Sequence, residues 1–351
     1  MLTGQNVLLT GGAGSVGQAL IPHILADDPT VLRILDNNES GLADLQRKLS
    51  DDCLRFLAGD VRDSERLERA MEDIDIVIHT AAMKHVDVCE YNPFEAVKTN
   101  VLGIQNVVDT AIDAGVEHVV FTSSDKAVDP ANTMGTTKLL GERLITAGNK
   151  HSGRSELRFT SVRFGNILNS SQSVVPLFVQ QIRDGGPVTL TDTRMTRFFL
   201  SYDDVYDLIS QAIEKTEGGE VFVYKMPAIR IEDLAEAMIE VVAPQFGHEP
   251  DKIDIETIGR RPGETFHEEI MTERETTRSY ENGSLYAIRP ETNEYLSSEN
   301  SADFEPAEEV VRSSETAPKL SKDEIITLLH ESGVVDPIDQ EEIDLIGATN
   351  E

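Results

Sequence analysis

Residues 10–17 read Thr10-Gly-Gly-Ala-Gly-Ser-Val-Gly17, directly after the apolar run Asn6–Thr10 and ahead of a helical pattern carrying Ala19, Leu20, Ile24 and Leu25. A strand, a glycine-rich turn and a helix start follow one another without a gap. Glycine lets the main chain approach a pyrophosphate, and the free N–H groups and dipole of a helix N-terminus favour an anion there. Thr10, Gly11, Gly14, Ser15, Val16 and Gly17 are therefore candidate cofactor-binding residues. Asp36 closes the next β-branched run 19 residues beyond Gly17, where a carboxylate accepts hydrogen bonds from an adenosine ribose. It would repel a 2′-phosphate and no Arg follows it directly, so NAD is expected and NADP disfavoured. Gly59-Asp60-Val61 ends a third run; Asp60 can either reach an adenine amino group or cap a helix at 63–72.

Working outward, Val7–Thr10, Val31–Leu35, Leu54–Ala58, Ile74–His79 and Val119–Ser123 alternate with stretches of helical period. That alternation predicts an α/β fold with a doubly wound parallel sheet of the Rossmann type. Asn92-Pro93 is a good helix start, and Phe94, Val97, Val101, Ile104, Val108 and Ala111 predict one apolar face before Gly115 stops the helix. A helix near Thr133–Ala147 and a sixth strand at Phe159–Arg163 follow. Beyond them the pattern changes. Residues 1–165 plus about 200–226 are expected to form the dinucleotide-binding domain, and 166–199 plus 227–290 a smaller substrate lobe. Residues 291–351 read as a loose acidic tail, apart from a short helix over Lys322–Ser332.

Aromatic residues make up only 5% of the chain and Trp is absent, so the core must rest on Val, Ile, Leu and Ala, as suits a buried parallel sheet. Cys53 and Cys89 lack a CxxC or metal-ligand spacing, so no disulfide framework and no metal are expected, and a reducing cytoplasm fits. No apolar run reaches the 18 or so residues of a membrane span. The net charge of -32 argues against a nucleic-acid partner. Residues 291–351 hold 17 acids and 3 bases, so -18 of that charge falls on residues 1–290. A surface this acidic throughout is suited to high salt.

Seven segments together resemble one family: Thr10–Gly17, Ala81-Ala-Met-Lys-His-Val86, Tyr91-Asn-Pro-Phe94, Ser123-Ser-Asp-Lys126, Met134–Lys138, Arg163-Phe-Gly-Asn166 and Arg261-Pro-Gly-Glu264. The chain resembles the UDP-N-acetylglucosamine 4,6-dehydratases, extended short-chain dehydrogenase/reductases that make UDP-4-keto-6-deoxy sugars for surface glycans. The resemblance runs from about residue 3 to 290. It implies a bound NAD, a UDP-sugar substrate and a homo-oligomer. It adds Ala81, Ala82, Lys84, Asn100 and Lys138 to the cofactor set, and it assigns Lys84, Asn166, Ser173, Val174, Arg197, Arg261 and Glu264 to the UDP-sugar. Within it, Asp125 is the acid/base group for the 6-hydroxyl, Lys126 takes the C5 proton and Ser124 hydrogen-bonds the 4-oxygen.

The residues themselves bear on that chemistry. Lys138 stands four residues after Met134, so the two share a helix face that can meet the nicotinamide end of the cofactor. Met134 occupies the position where the wider superfamily has Tyr, and a thioether cannot take a proton from a sugar hydroxyl. Ser124, Asp125 and Lys126 fall at the carboxyl end of the fifth strand, where open α/β sheets bind ligands. To act as a base Lys126 must lose its proton, so desolvation or a neighbouring cation is expected to lower its pKa. Two arginines, Arg197 and Arg261, suit a diphosphate because guanidinium grips phosphate oxygens in pairs. A UDP-sugar 4-epimerase or reductase and a non-catalytic cofactor-binding relative are the competing classes. Neither needs the Asp125-Lys126 pair.

Overall fold

A computed structural model describes residues 1–153, 156–170, 173–259, 264–291 and 304–335. The chain divides into two compact units.

The larger unit contains Met1–Gly165, Tyr202–Lys225 and Glu268–Ser313. It opens with β1 (Asn6–Thr10), α1 (Ser15–Ala26), β2 (Val31–Asp36), α2 (Glu39–Lys48), β3 (Leu54–Ala58), α3 (Ser64–Met71) and β4 (Ile76–His79). Next come α4 (Val86–Tyr91), α5 (Pro93–Val97), a π-helical turn at Lys98–Leu102, α6 (Gly103–Ala114) and β5 (His118–Thr122). A single 3-10 turn, Asp125–Ala127, leads into α7 (Thr133–His151) and β6 (Arg158–Arg163). The smaller unit holds β7 (Asn166–Ile167), α8 (Val174–Arg183), β8 (Val188–Leu190) and β9 (Thr196–Leu200). The chain re-enters the larger unit for α9 (Tyr202–Lys215) and β10 (Val221–Tyr224), and returns to the smaller for β11 (Ala228–Arg230), α10 (Ile231–Val242) and β12 (Ile255–Thr257). It finishes with α11 (Glu273–Thr276), β13 (Ser279–Asn282), β14 (Leu285–Ile288) and β15 (Glu305–Pro306) in the larger unit, then α12 (Lys322–Glu331) in the smaller.

Among the described residues the larger unit has one sheet, ordered β15-β13-β14-β10-β6-β5-β4-β1-β2-β3. From β3 to β10 every pairing is parallel, and β14, β13 and β15 extend the sheet antiparallel. Strand order reverses between β1 and β4, whose ends align Thr10 with His79. This reversal leaves a crevice at the carboxyl ends of the central strands. Leu8, Val77, Val119 and Phe121 from the sheet pack with Leu67, Ile104, Val107, Val108 and Ile145 from α3, α6 and α7. All are fully or nearly fully buried, so β-branched and aliphatic side chains do fill the space that aromatics would otherwise occupy.

Three expectations change. The helix predicted from Pro93 to Gly115 is broken by the π turn, which rotates its first residues away from the core. Phe94 is accordingly 81% exposed and Val97 41%, whereas Ile104, Val108 and Ala111 are buried as the period predicts. The stretch 268–290, assigned by sequence to the smaller lobe, belongs with the larger unit because β14 pairs antiparallel with β10, matching Val221 with Ile288. The tail expected to be loose outside Lys322–Ser332 is paired where it is described, β15 lying antiparallel to β13, and the expected helix forms as α12. Ser321 and Glu324 form a capping box at the start of α12, and Ile325 and Leu329 are fully buried in the core of the smaller unit.

That core collects Val175, Phe178 and Ile182 of α8 with Leu234, Ala235 and Met238 of α10. Short sheets β11-β9-β7 and β12-β8 complete the unit.

Candidate active site

At the carboxyl end of β1 the chain turns so tightly that two glycines become obligatory. Gly11 has φ +73°, and a Cβ there would lie 2.6 Å from the Ala81 nitrogen; one on Gly17 would lie 2.3 Å from the Gly11 carbonyl oxygen. Gly14 caps α1 with no side-chain hydrogen bond, so the first-turn amides of Ser15, Val16 and Gly17 have no acceptor within the helix. Asp36 stands beside this turn. Its Oδ2 accepts from Ala13 N at 2.9 Å and its Oδ1 from Asn38 N at 2.8 Å, which fixes the carboxylate while leaving each oxygen a second lone pair. A bare cradle of amides beside an anchored carboxylate fits a dinucleotide.

The other cofactor candidates divide. Thr80 Oγ1 donates to the Thr10 carbonyl at 2.7 Å, seating Ala81 and Ala82 at the mouth of the crevice. Asp60 accepts from Arg62 at 2.6–3.0 Å and from Asn37 Nδ2 at 3.3 Å. It does not cap α3; Asp63 does, accepting from Arg66 N at 3.1 Å. The Val61 side chain is buried in the core against α6. Asn100 is buried and uses both amide donors inside the protein, on the Met83 carbonyl (2.9 Å) and Thr137 Oγ1 (3.0 Å), so it shapes the loop after β4 from behind. Burial pulls the Lys84 ammonium below its ordinary pKa.

The turn after β5 holds Ser124, Asp125 and Lys126 together. Asp125 N donates to the Phe164 carbonyl at 3.0 Å, and its side chain is fully buried. Ser124 Oγ donates to Asp125 Oδ1 at 2.7 Å; Lys126 Nζ donates to Oδ1 at 3.1 Å and to Oδ2 at 3.3 Å. Burial alone would raise the Asp125 pKa. The Lys126 charge and hydrogen bonds from Ser124, Glu268 and Lys126 outweigh burial and hold it below the usual range. Lys126 Nζ also reaches Glu268 Oε1, at 3.3 Å. Against the expectation of desolvation or a neighbouring cation, Lys126 Nζ has two carboxyl groups in contact.

On α7, Asn132 caps the helix by accepting from Gly135 N at 2.8 Å. Met134 and Lys138 both face inward, but to different surroundings. Met134 is 4% exposed in a small cluster with Cys89 and Ala96, backed by Met83 and Val86, and its thioether cannot carry a proton. Lys138 Nζ donates to the Thr122 carbonyl at 2.8 Å and sits 4.7 Å from the centre of the Phe121 ring. Burial pushes its pKa down to about 8, against the opposing charge of Glu142.

Two buried features escaped the sequence reading. His79 Nδ1 lies 2.7 Å from Thr10 Oγ1 across the β1–β4 reversal, and burial with the nearby Lys138 charge lowers its pKa to about 3, so it is a neutral imidazole. Arg163, 1% exposed, joins Glu142 of α7 (2.7 and 3.0 Å), Glu275 of α11 (3.1 and 3.2 Å) and the Ile270 carbonyl (2.8 Å). Ser123 Oγ donates to the same Glu142 at 2.5 Å. This network ties the end of β5, α7 and residues 270–275 into one piece. An Arg in a strand followed far downstream by Glu gives no sequence signal.

In the smaller unit, Asn166 on β7 faces β9, its Nδ2 donating to the Phe198 carbonyl at 3.2 Å. Arg197 on β9 donates to the carbonyls of Thr196, Thr265 and Phe266 at 2.8–3.0 Å. The guanidinium expected to grip the diphosphate is held in place by main-chain carbonyls. Ser173 precedes α8, which Val174 begins, and its hydroxyl makes no cap bond. Glu264 is half-buried; Arg261 lies outside the described residues.

Residues 7–290 match the family described as polysaccharide biosynthesis protein. The chain belongs to this family. A protein of Methanocaldococcus jannaschii named as an uncharacterized membrane protein is 43% identical, over 93% of this chain and 96% of its own. Among the described residues no helix is long and apolar enough to cross a membrane. A UDP-N-acetylglucosamine 4,6-dehydratase (inverting) of Campylobacter jejuni is 40% identical over 83% of this chain and 84% of its own, and a UDP-glucose 4-epimerase of Rickettsia felis 38% over 82% and 84%. Among solved structures, Pen from Bacillus thuringiensis superposes with a TM-score of 0.84 at 41% identity, covering 94% of this chain and 98% of that one. The dTDP-glucose 4,6-dehydratase DesIV of Streptomyces venezuelae, solved with NAD and TYD, gives 0.64 at 25% identity over 74% and 86%. Membership makes the chain a sugar-modifying enzyme of the extended short-chain dehydrogenase type.

Proposed function

We propose that the protein is an NAD-dependent 4,6-dehydratase that converts UDP-N-acetylglucosamine, or a close UDP-sugar, to the UDP-4-keto-6-deoxy sugar for surface glycan synthesis. The observation that carries this reading is the Asp125-Lys126 pair, a buried acid in contact with a half-buried base at the carboxyl end of β5. The 40% identical C. jejuni dehydratase supports it.

When bound, NAD would accept a hydride from C4 and return it to C6, leaving no net redox change. Gly11, Gly14, Ser15, Val16 and Gly17 would hold its pyrophosphate, Asp36 its adenosine ribose, and Lys138 its nicotinamide ribose. Asp36 leaves no welcome for a 2′-phosphate, which favours NAD over NADP. The Ser124 hydroxyl would donate to the 4-oxygen. With C4 a ketone, the C5 proton becomes acidic and Lys126, as amine, takes it. Asp125, as acid, protonates the 6-hydroxyl, which leaves as water. The 4-hydroxyl proton released on oxidation passes through the Ser124 hydroxyl to the Asp125 carboxylate, 2.7 Å away, and makes it that acid; Lys126 becomes that amine by releasing its proton to solvent, to which it is one-third open, and C5 regains a proton from the resulting ammonium as hydride reaches C6. Lys84, Asn166, Ser173, Val174, Arg197, Arg261 and Glu264 would bind the UDP-sugar.

Incubation with UDP-N-acetylglucosamine followed by mass spectrometry tests the proposal: the product should weigh one water less. A product of unchanged mass and inverted C4 would establish the 4-epimerase reading, which the 38% identical R. felis epimerase favours. Absence of any product from a protein that binds NAD would leave only a cofactor-binding role.

A further inference from the structure

Glu268 lies outside every motif the sequence displays, yet it is 6% exposed with its carboxyl 3.3 Å from Lys126 Nζ. It begins the segment 268–275, which is not free to drift. Arg163 grips that segment at the Ile270 carbonyl and at Glu275, and Ile270 N donates to the Arg312 carbonyl at 2.8 Å. Lys126 is therefore held from two sides, by Asp125 on its own turn and by Glu268 from a distant stretch of chain. The element packed behind that turn is α7, where a Cβ on Gly135 would lie 2.1 Å from the Lys126 carbonyl oxygen. Its ionisable residues facing this region are Lys138, committed to the Thr122 carbonyl, and Glu142, committed to Arg163 and Ser123.

We infer that Glu268 is a positioning residue for the acid/base pair: it fixes where the Lys126 amine sits and sets the pH at which that amine is released from its proton. The inference rests on the reading of Lys126 as the C5 base. A single carboxylate beside Lys126 would serve a simple acid/base exchange. A second one at contact distance adds attraction for the ammonium, so the base is released at higher pH than Asp125 alone would require. The same contact aims the nitrogen, because a lysine stem with four rotatable bonds has no fixed direction without two anchors.

Glu268→Gln keeps size and hydrogen-bonding capacity and removes the charge. The rising, acid-side limb of kcat against pH should move toward acid by about one unit or more, with KM for the UDP-sugar held within about twofold. Deuterium exchange at C5, measured at a pH below the wild-type limb, should rise in parallel. Glu268→Ala, which also loses the second anchor, should lower kcat at every pH. Lys126 can be titrated without any turnover through the resonance of its ¹³C-methylated amine, identified by its loss in Lys126→Ala. The lysine is one-third exposed and open to the reagent. Glu268→Gln should lower that pKa by the same amount. An unmoved limb together with an unmoved resonance, or a change confined to KM, would overturn the inference. Were the wild type to release no water, the dehydratase reading would fall, and the methyl resonance would still decide whether Glu268 controls Lys126.

Discussion

Lys126 and Lys138 lie on consecutive elements, the turn after β5 and helix α7, and their surroundings are opposite. Lys138 is buried, donates to a carbonyl and has no carboxylate in contact among the described residues, so burial carries its pKa down to about 8. Lys126 is one-third exposed and touches two carboxyl groups. The lysine that resembles a superfamily cofactor ligand is thus poised near neutrality, whereas the lysine assigned to remove a carbon-bound proton is paired with two carboxyl groups. Residue type and position along the chain do not fix protonation; the second partner does.

The strongest way to break this comparison is to remove the Lys126 side of it. Lys126→Ala and Asp125→Asn should each lower dehydration by on the order of 10²–10⁴ while UDP-sugar and NAD still bind. In deuterated water Lys126→Ala should also lose C5 exchange, and Asp125→Asn should keep some. Near-normal turnover in both would make the pair structural.

Next in size is the frame that both lysines share. Arg163→Met strands Glu142 and Glu275 in the core, and unfolding by urea should show a loss of about 3–5 kcal/mol. Adding Glu142→Gln and Glu275→Gln should recover much of it, since the cost is that of unpaired buried charge. A single variant as stable as wild type would mean the network does not hold α7 and residues 270–275 together.

A pH comparison sharpens the Lys138 side. Its folded pKa of about 8 lies below the unfolded value of about 10.4, so below pH 8 both states carry the proton and the folded state bears the full cost of a buried ammonium. Between those values the unfolded chain binds more protons, and stability rises with pH. Measured against Lys138→Met, which cannot titrate, wild type should therefore gain between pH 8 and 10. A flat difference would place the Lys138 pKa elsewhere.

The smallest effect concerns salt. With -32 of net charge, the thermal midpoint should climb as salt rises from tens of millimolar toward molar, whereas the buried Arg163 contacts should respond little. A midpoint independent of salt would remove the high-salt reading of the surface. Truncation at residue 290 is no clean control, because it would strip Ile325 and Leu329 out of the smaller unit's core.

How much was legible follows from distance along the chain. The turn at Thr10–Gly17, Asp36 and the Asp125-Lys126 pair each announce themselves within a few residues, because strand, turn and helix starts have local signatures. The apolar face of the Pro93–Gly115 stretch was half right: the period finds Ile104 and Val108, but the π turn that exposes Phe94 leaves no mark in a 3.6-residue pattern. Arg197 reads in sequence as a diphosphate ligand, and composition, which counts guanidinium groups, cannot see the carbonyls of Thr265 and Phe266 to which it donates.

By itself the sequence determined a parallel sheet, the glycine-rich turn after its first strand and the Asp125-Lys126 pair at the end of its fifth, since each depends on neighbours a few positions away. Tertiary structure alone decided the electrostatics of that pair. Glu268 reaches Lys126 across 142 residues and Glu275 reaches Arg163 across 112. The charge a buried group carries is set by whatever stands within a few ångströms of it, and for these residues that neighbour is supplied only when β14 closes onto β10 and brings residues 268–275 back to the end of β5.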